Sequence, residues 1–98
     1  MKSICVDFDG CISVNGGTVD GAEEGLVKLI NSGYKVYILT ANNIDYVRGW
    51  MSDNIKHAKY LIGNQKIIIT NTKPVAIAYI DNRAYKFTSW DDVEENFI

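Results

Sequence analysis

Ile4-Cys5-Val6-Asp7-Phe8-Asp9-Gly10-Cys11 decides the fold: an apolar run that ends in two carboxylates and a glycine. Carboxylates brought together out of bulk water lose hydration and repel each other, so such a strand end is costly as packing alone. A bound cation resolves the conflict. On a regular strand Asp7 and Asp9, two residues apart, share a face, and Gly10 lets the chain turn sharply beneath a ligand.

Downstream, a polar and glycine-rich stretch from Ser13 to Gly21 precedes Ala22, Leu26, Leu29 and Ile30, which recur at helical spacing opposite Glu23, Glu24 and Lys28. Gly33 stops this helix, and Tyr34 to Leu39 reads as a second strand that delivers Thr40, Asn42 and Asn43 at its end. A helical crossover between apolar strands implies parallel pairing, right-handed in nearly all cases. Ile44, Val47, Trp50 and Met51 suggest a second helix with Asp45, Arg48 and Asp53 on its wet side, Trp50 being a core anchor. Tyr60 to Ile62 and Ile67 to Thr70 are short apolar runs, one or both expected as strands. After Lys73-Pro74, Val75 to Ile80 is expected as a further strand ending in Asp81-Asn82-Arg83. Tyr85 to Phe87 reads as an edge strand and Trp90 to Phe97 as a short closing helix.

The 98 residues are one domain's worth, nearly half apolar, with one proline and no repeat or low-complexity tract. Formal net charge is −2 with lysines spread along the chain, so nucleic-acid binding is not supported by charge. The start is too short for a signal peptide or a membrane span, which points to a cytoplasmic chain with no membrane partner. Cys5 and Cys11 have neither redox-pair nor zinc-pair spacing and are expected as free thiols; His57 is expected at the surface.

In an open parallel sheet the crevice that takes a ligand faces the carboxyl ends of the strands, and Asp7, Asp9, Thr40 and Asp81 all fall there. Asp7, Asp9 and Asp81 bring −3 and Lys73 brings +1, so the pocket by itself repels phosphate and a divalent cation brings it to zero. Magnesium suits all-oxygen ligation and commonly joins one or two carboxylates to a substrate phosphate. Thr40 offers a hydroxyl donor and Lys73 a point charge for the oxygens of a transferring phosphoryl group.

Asp7-Phe8-Asp9-Gly10 after a strand, Ile38-Leu39-Thr40 ending the next, Lys73-Pro74, and then Tyr79-Ile80-Asp81 resemble the four ordered motifs of the haloacid dehalogenase-like superfamily. The similarity is greatest to its small capless phosphatase-like members of phage and bacterial type, and it spans most of the chain. The resemblance implies an α/β three-layer sandwich with a mainly parallel Rossmann-like sheet over residues 1–98. It implies Asp7 as nucleophile forming an aspartyl phosphate, Asp9 as general acid and then base, and phosphate binding by Thr40, Ala41 and Lys73. Magnesium would be held by Asp7, the backbone carbonyl of Asp9, and Asp81, with Asn82 orienting a metal-bound water. Capless relatives usually carry a second acid where this chain has Asn82. The gaps from Cys11 to Gly21 and from Thr40 to Lys73 leave no room for a cap domain. An open site implies a phosphorylated substrate, small molecule or macromolecule, or a site closed by a neighbouring subunit in a homo-oligomer.

The expected function is therefore magnesium-dependent phosphate monoester hydrolysis. The alternative is a noncatalytic metal- or phosphate-binding module on the same fold. A response-regulator receiver also gathers acids, a Thr and a Lys at strand ends, but there the Lys follows the last acid, whereas Lys73 precedes Asp81.

Overall fold

The computed structural model describes residues 2–81 and 85–98. Ser3–Asp7 forms β1, and Ser13–Val14 and Gly17–Thr18 form a small antiparallel hairpin, β2 and β3. Helix α1 (Ala22–Asn31) leads to β4 (Lys35–Leu39), and helices α2 (Ile44–Asn54) and α3 (Ala58–Gly63) lead to β5 (Ile67–Thr70). Strands β6 (Ala78–Asp81) and β7 (Tyr85–Lys86) and helix α4 (Trp90–Phe97) complete the chain. The main sheet has the order β5-β4-β1-β6-β7 with every pairing parallel. This is an α/β fold compatible with a Rossmann-like arrangement, and β1 lies at its centre. Among the described residues no helix is long and apolar enough to cross a membrane.

Strand register divides the sheet into two unlike faces. Ile4 pairs with Val36 and Ala78, Val6 with Ile38 and Ile80, and Val36 and Ile38 in turn with Ile67 and Ile69. These side chains share one face, and all but Ala78 belong to a single buried core with Leu26 and Leu29 of α1, Met51 of α2, Ala58 of α3, and Trp90 and Val93 of α4. All four helices thus pack on one face. The opposite face carries Cys5, Tyr37, Leu39, Ile68 and Tyr79, none of which joins that core. The expected three-layer sandwich is corrected accordingly. Its second helical layer would come from the crossover between β5 and β6, and residues 71–77 are too few and too irregular to make one: they cross as coil.

Three local expectations change as well. Tyr60 to Ile62 lies in α3, not in a strand, because Ala58, Leu61 and Ile62 meet the core at helical spacing while Tyr60 is left exposed. The strand expected from Val75 begins only at Ala78, since Val75 projects from the crossover at 94% exposure. The Ser13 to Gly21 stretch holds a hairpin whose turn is Asn15-Gly16, both at positive φ (52° and 80°), the combination a tight hairpin favours. Trp50 donates from Nε1 to the Gly16 carbonyl at 3.2 Å, and its ring meets Phe8 edge-on at 5.1 Å, so one anchor fixes both the hairpin and the residue between the two acids.

Helices α1 and α4 meet through an absence. A Cβ on Gly25 would lie 2.2 Å from Trp90 Cε3, so glycine alone lets the indole lie flat on α1. Trp90 Nε1 then donates to the Cys11 carbonyl at 2.8 Å, which ties α4 to the turn after the second acid. Lys28 and Glu94 close the outer side of the same contact at 2.6 Å.

Candidate active site

The site is assembled from three strand ends. The register that pairs Val6 with Ile80 sets Asp7 of β1 and Asp81 of β6 side by side at the carboxyl edge of the sheet, on the face opposite the helical core. Adjacent strands lie about 4.8 Å apart, so two carboxylates project from neighbouring backbone positions. Both are partly buried. Their shared field reaches the cysteines: burial first, and then Asp7 and Asp81, push the Cys11 thiol up to about 12. The same causes push Cys5 up to about 11, with Lys73 acting in the opposite direction. Both cysteines are buried free thiols, and burial together with this negative surrounding keeps them protonated at neutral pH.

Past Asp7 the chain continues the ladder for one residue, Phe8 N–H donating to the Leu39 carbonyl at 3.0 Å, and then turns. Ile12 and Ser13 both return N–H bonds to the Phe8 carbonyl, and Gly10 N–H donates to Ser13 at 2.8 Å. Gly10 sits at φ +91°, a conformation that a side-chain-bearing residue would hold only with strain. This loop sets Asp9 on the surface, where Asn42 Nδ2 approaches its Oδ2 at 3.5 Å.

Thr40 follows β4 and is 4% exposed, a polar residue sunk at the floor of the mouth. Its N–H donates to the Thr70 carbonyl and its Oγ1 accepts the Asn42 N–H, each at 3.0 Å. Ala41 beside it is exposed at the rim. Asn71, which the sequence did not single out, donates from Nδ2 to the carbonyls of Thr40 (2.7 Å) and Asn42 (2.9 Å). It clamps the loop that carries the phosphate-binding candidates. Asn43 caps α2 instead, accepting from Asp45 N–H and Tyr46 N–H at 2.8 and 3.1 Å.

Lys73 reaches the same sheet face by another route. Its Nζ lies 4.4 Å from the centre of the Tyr79 ring, and Tyr79 is held by donating to the Pro74 carbonyl at 2.7 Å and accepting from Ala76 N–H at 3.1 Å. Asn82 and Arg83 lie outside the described residues. His57 is exposed, as expected, and caps no helix with its side chain. It borders a groove of about 520 Å³ with Glu23, Val27, Lys28 and Lys56 that shares no residue with the carboxylate mouth.

Among the described residues no three His, Cys, Asp or Glu side chains are grouped to hold a metal by themselves. The oxygen donors of the mouth are the Asp7 and Asp81 carboxylates and the backbone carbonyls of the turn, a hard set suited to a cation that keeps water ligands. No protein-family model, curated protein or solved structure matches the chain.

Proposed function

We propose that the chain is a magnesium-dependent phosphatase of the capless haloacid dehalogenase-like type, hydrolysing phosphate monoesters through an aspartyl phosphate on Asp7. One observation carries the reading: Asp7 and Asp81 stand in adjacent register at the carboxyl edge of a parallel sheet, with Asp9 in the turn just beyond Asp7 and buried Thr40 directly after the neighbouring strand β4. Asp7 and Asp81, on neighbouring strands, would hold a magnesium ion, with the Asp9 carbonyl as a third protein oxygen. When bound, the ion neutralises the site and draws a substrate phosphate toward it.

Asp7 attacks phosphorus through a carboxylate oxygen, forming the Asp7–phosphorus bond as the bond to the leaving oxygen breaks. Asp9 gives that oxygen a proton, and its place at the tip of a hydrogen-bonded turn next to Asn42 suits this exchange with the substrate. In the second half Asp9 takes the proton of the water that attacks phosphorus, and the bond to Asp7 breaks to return free carboxylate. Thr40, the Ala41 backbone and Lys73 supply donors and charge to the phosphoryl oxygens. The segments that would hold a cap carry only the β2–β3 hairpin and the elements α2, α3 and β5, so the mouth opens outward.

A second reading, a noncatalytic metal- or phosphate-binding module, draws support from Lys73, whose ammonium rests on the Tyr79 ring. One experiment separates the two. Hydrolysis of a small chromogenic phosphate ester is measured with and without magnesium for the wild type and Asp7→Asn. Magnesium-dependent turnover lost in Asp7→Asn is the expected result; magnesium binding without turnover in the wild type would leave the binding module standing.

A further inference from the structure

Tyr79 engages the crossover between β5 and β6 with both its hydroxyl and its ring. The hydroxyl donates to the Pro74 carbonyl at 2.7 Å and accepts the Ala76 N–H at 3.1 Å, and the ring face takes the Lys73 ammonium at 4.4 Å from its centroid. Tyr79 itself is partly buried on β6, beside Cys5 in the register that also sets Ile80 beside Val6. Alternation along the strand puts Tyr79 and Asp81 on one face of the sheet, about 6.6 Å apart. Lys73, Tyr79 and Asp81 thus share one corner of the mouth, although the lysine comes from irregular coil and is exposed.

An exposed lysine on coil samples many rotamers, and ordering it at the moment a phosphate arrives costs entropy. A carboxylate would hold the ammonium by neutralising it. An aromatic face attracts a cation through its quadrupole and carries no net charge, so the lysine is held with its own charge intact. We propose that Tyr79 is a positioning residue for Lys73: its hydroxyl fixes the coil that carries the lysine, and its ring stations the ammonium beside the carboxylate mouth for an incoming phosphate. The inference rests on the phosphate-binding part of the proposed function and not on turnover. Tyr79 touches no reacting atom and acts through Lys73.

Two measurements test it, and neither needs catalysis. Ring currents move protons above an aromatic face upfield, so the Lys73 ε-methylene protons are expected upfield of a free lysine's in the wild type and in Tyr79→Phe, which keeps the ring. In Tyr79→Leu they return to the ordinary position. Inorganic phosphate, titrated calorimetrically with magnesium present, is expected to bind Tyr79→Phe about twofold and Tyr79→Leu about fivefold or more weakly than the wild type. In a Lys73→Met background the same Tyr79 substitutions should change phosphate affinity by less than about twofold, a result that a merely structural tyrosine would not give. Circular dichroism checks each fold, and Tyr79→Met replaces Tyr79→Leu if the leucine variant does not fold. An unshifted ε-methylene signal in the wild type overturns the proposal, as do a wild type that binds no phosphate and a Tyr79 effect that persists undiminished without Lys73. Phosphate binding that follows the expected pattern with no ester hydrolysis would retire the phosphatase and leave the assignment of Tyr79 standing.

Discussion

At the scale of single residues, burial first and the charge of the mouth second hold the two thiols protonated. Folded, Cys5 and Cys11 hold their protons to about 11 and about 12, whereas an unfolded thiol titrates near 9.0. Above that value the unfolded chain loses protons that the folded chain keeps, so the stability the thiols contribute is complete below pH 9.0 and is lost as pH rises through their folded values. Denaturant midpoints are expected to fall between about pH 8 and about pH 10.5, and Cys5→Ala/Cys11→Ala should flatten that fall. Asn71 gives a second expectation. Its Nδ2 holds two carbonyls of the Thr40 to Asn42 loop, so Asn71→Ala should cost about 1 to 2 kcal/mol in a denaturation curve and lower turnover about tenfold or more through misplaced donors. Asp7, Asp9, Thr40 and Asp81 were legible because acids and a hydroxyl at the ends of apolar runs have no packing use. Asn71 was not, because it acts on the backbone of a loop some thirty positions earlier, and its side chain alone looks like any turn residue.

Among the elements, what could be read locally was read correctly, and what depended on a neighbour was not. Helix α1, strand β4, helix α2 and helix α4 follow from periodicity that each segment carries in itself. The run at Tyr60 to Ile62 is too short for periodicity to distinguish helix from strand, and its packing beside α2 and β5 decided for helix. The contact of α1 with α4 lay wholly beyond the sequence, since Gly25 within a helix looks like a weakness until Trp90 is seen against it. Gly25→Ala gains helix propensity yet should destabilise by about 1 to 3 kcal/mol, because the new methyl displaces the indole. Thermal melting decides the sign. Asn43→Ala, which removes the α2 cap but touches no part of the mouth, should cost about 1 kcal/mol.

For the whole molecule, the proposed site predicts a linkage between magnesium and stability. An ion that binds only the folded chain adds about 2.7 kcal/mol when present at a hundred times its dissociation constant. Melting should therefore shift upward with magnesium and return with a chelator, and Asp81→Asn should abolish the shift. A wild-type melt that ignores magnesium would count against the metal site whatever the phosphatase assay showed.

By itself the sequence determined the parallel α/β sheet, the order of its motifs and the acids that gather at its carboxyl edge, because alternation, helical spacing and strand-end chemistry are properties of short segments. Tertiary structure alone decided which face the helices would cover and what the other face would display. Lys35 and Lys66 are more than thirty positions apart and look scattered along a chain of net charge −2; parallel register makes them neighbours. The same register sets Asp7 beside Asp81 across more than seventy positions. Charge pattern on a sheet belongs to the pairing of strands, and pairing is settled only when the core has chosen its side.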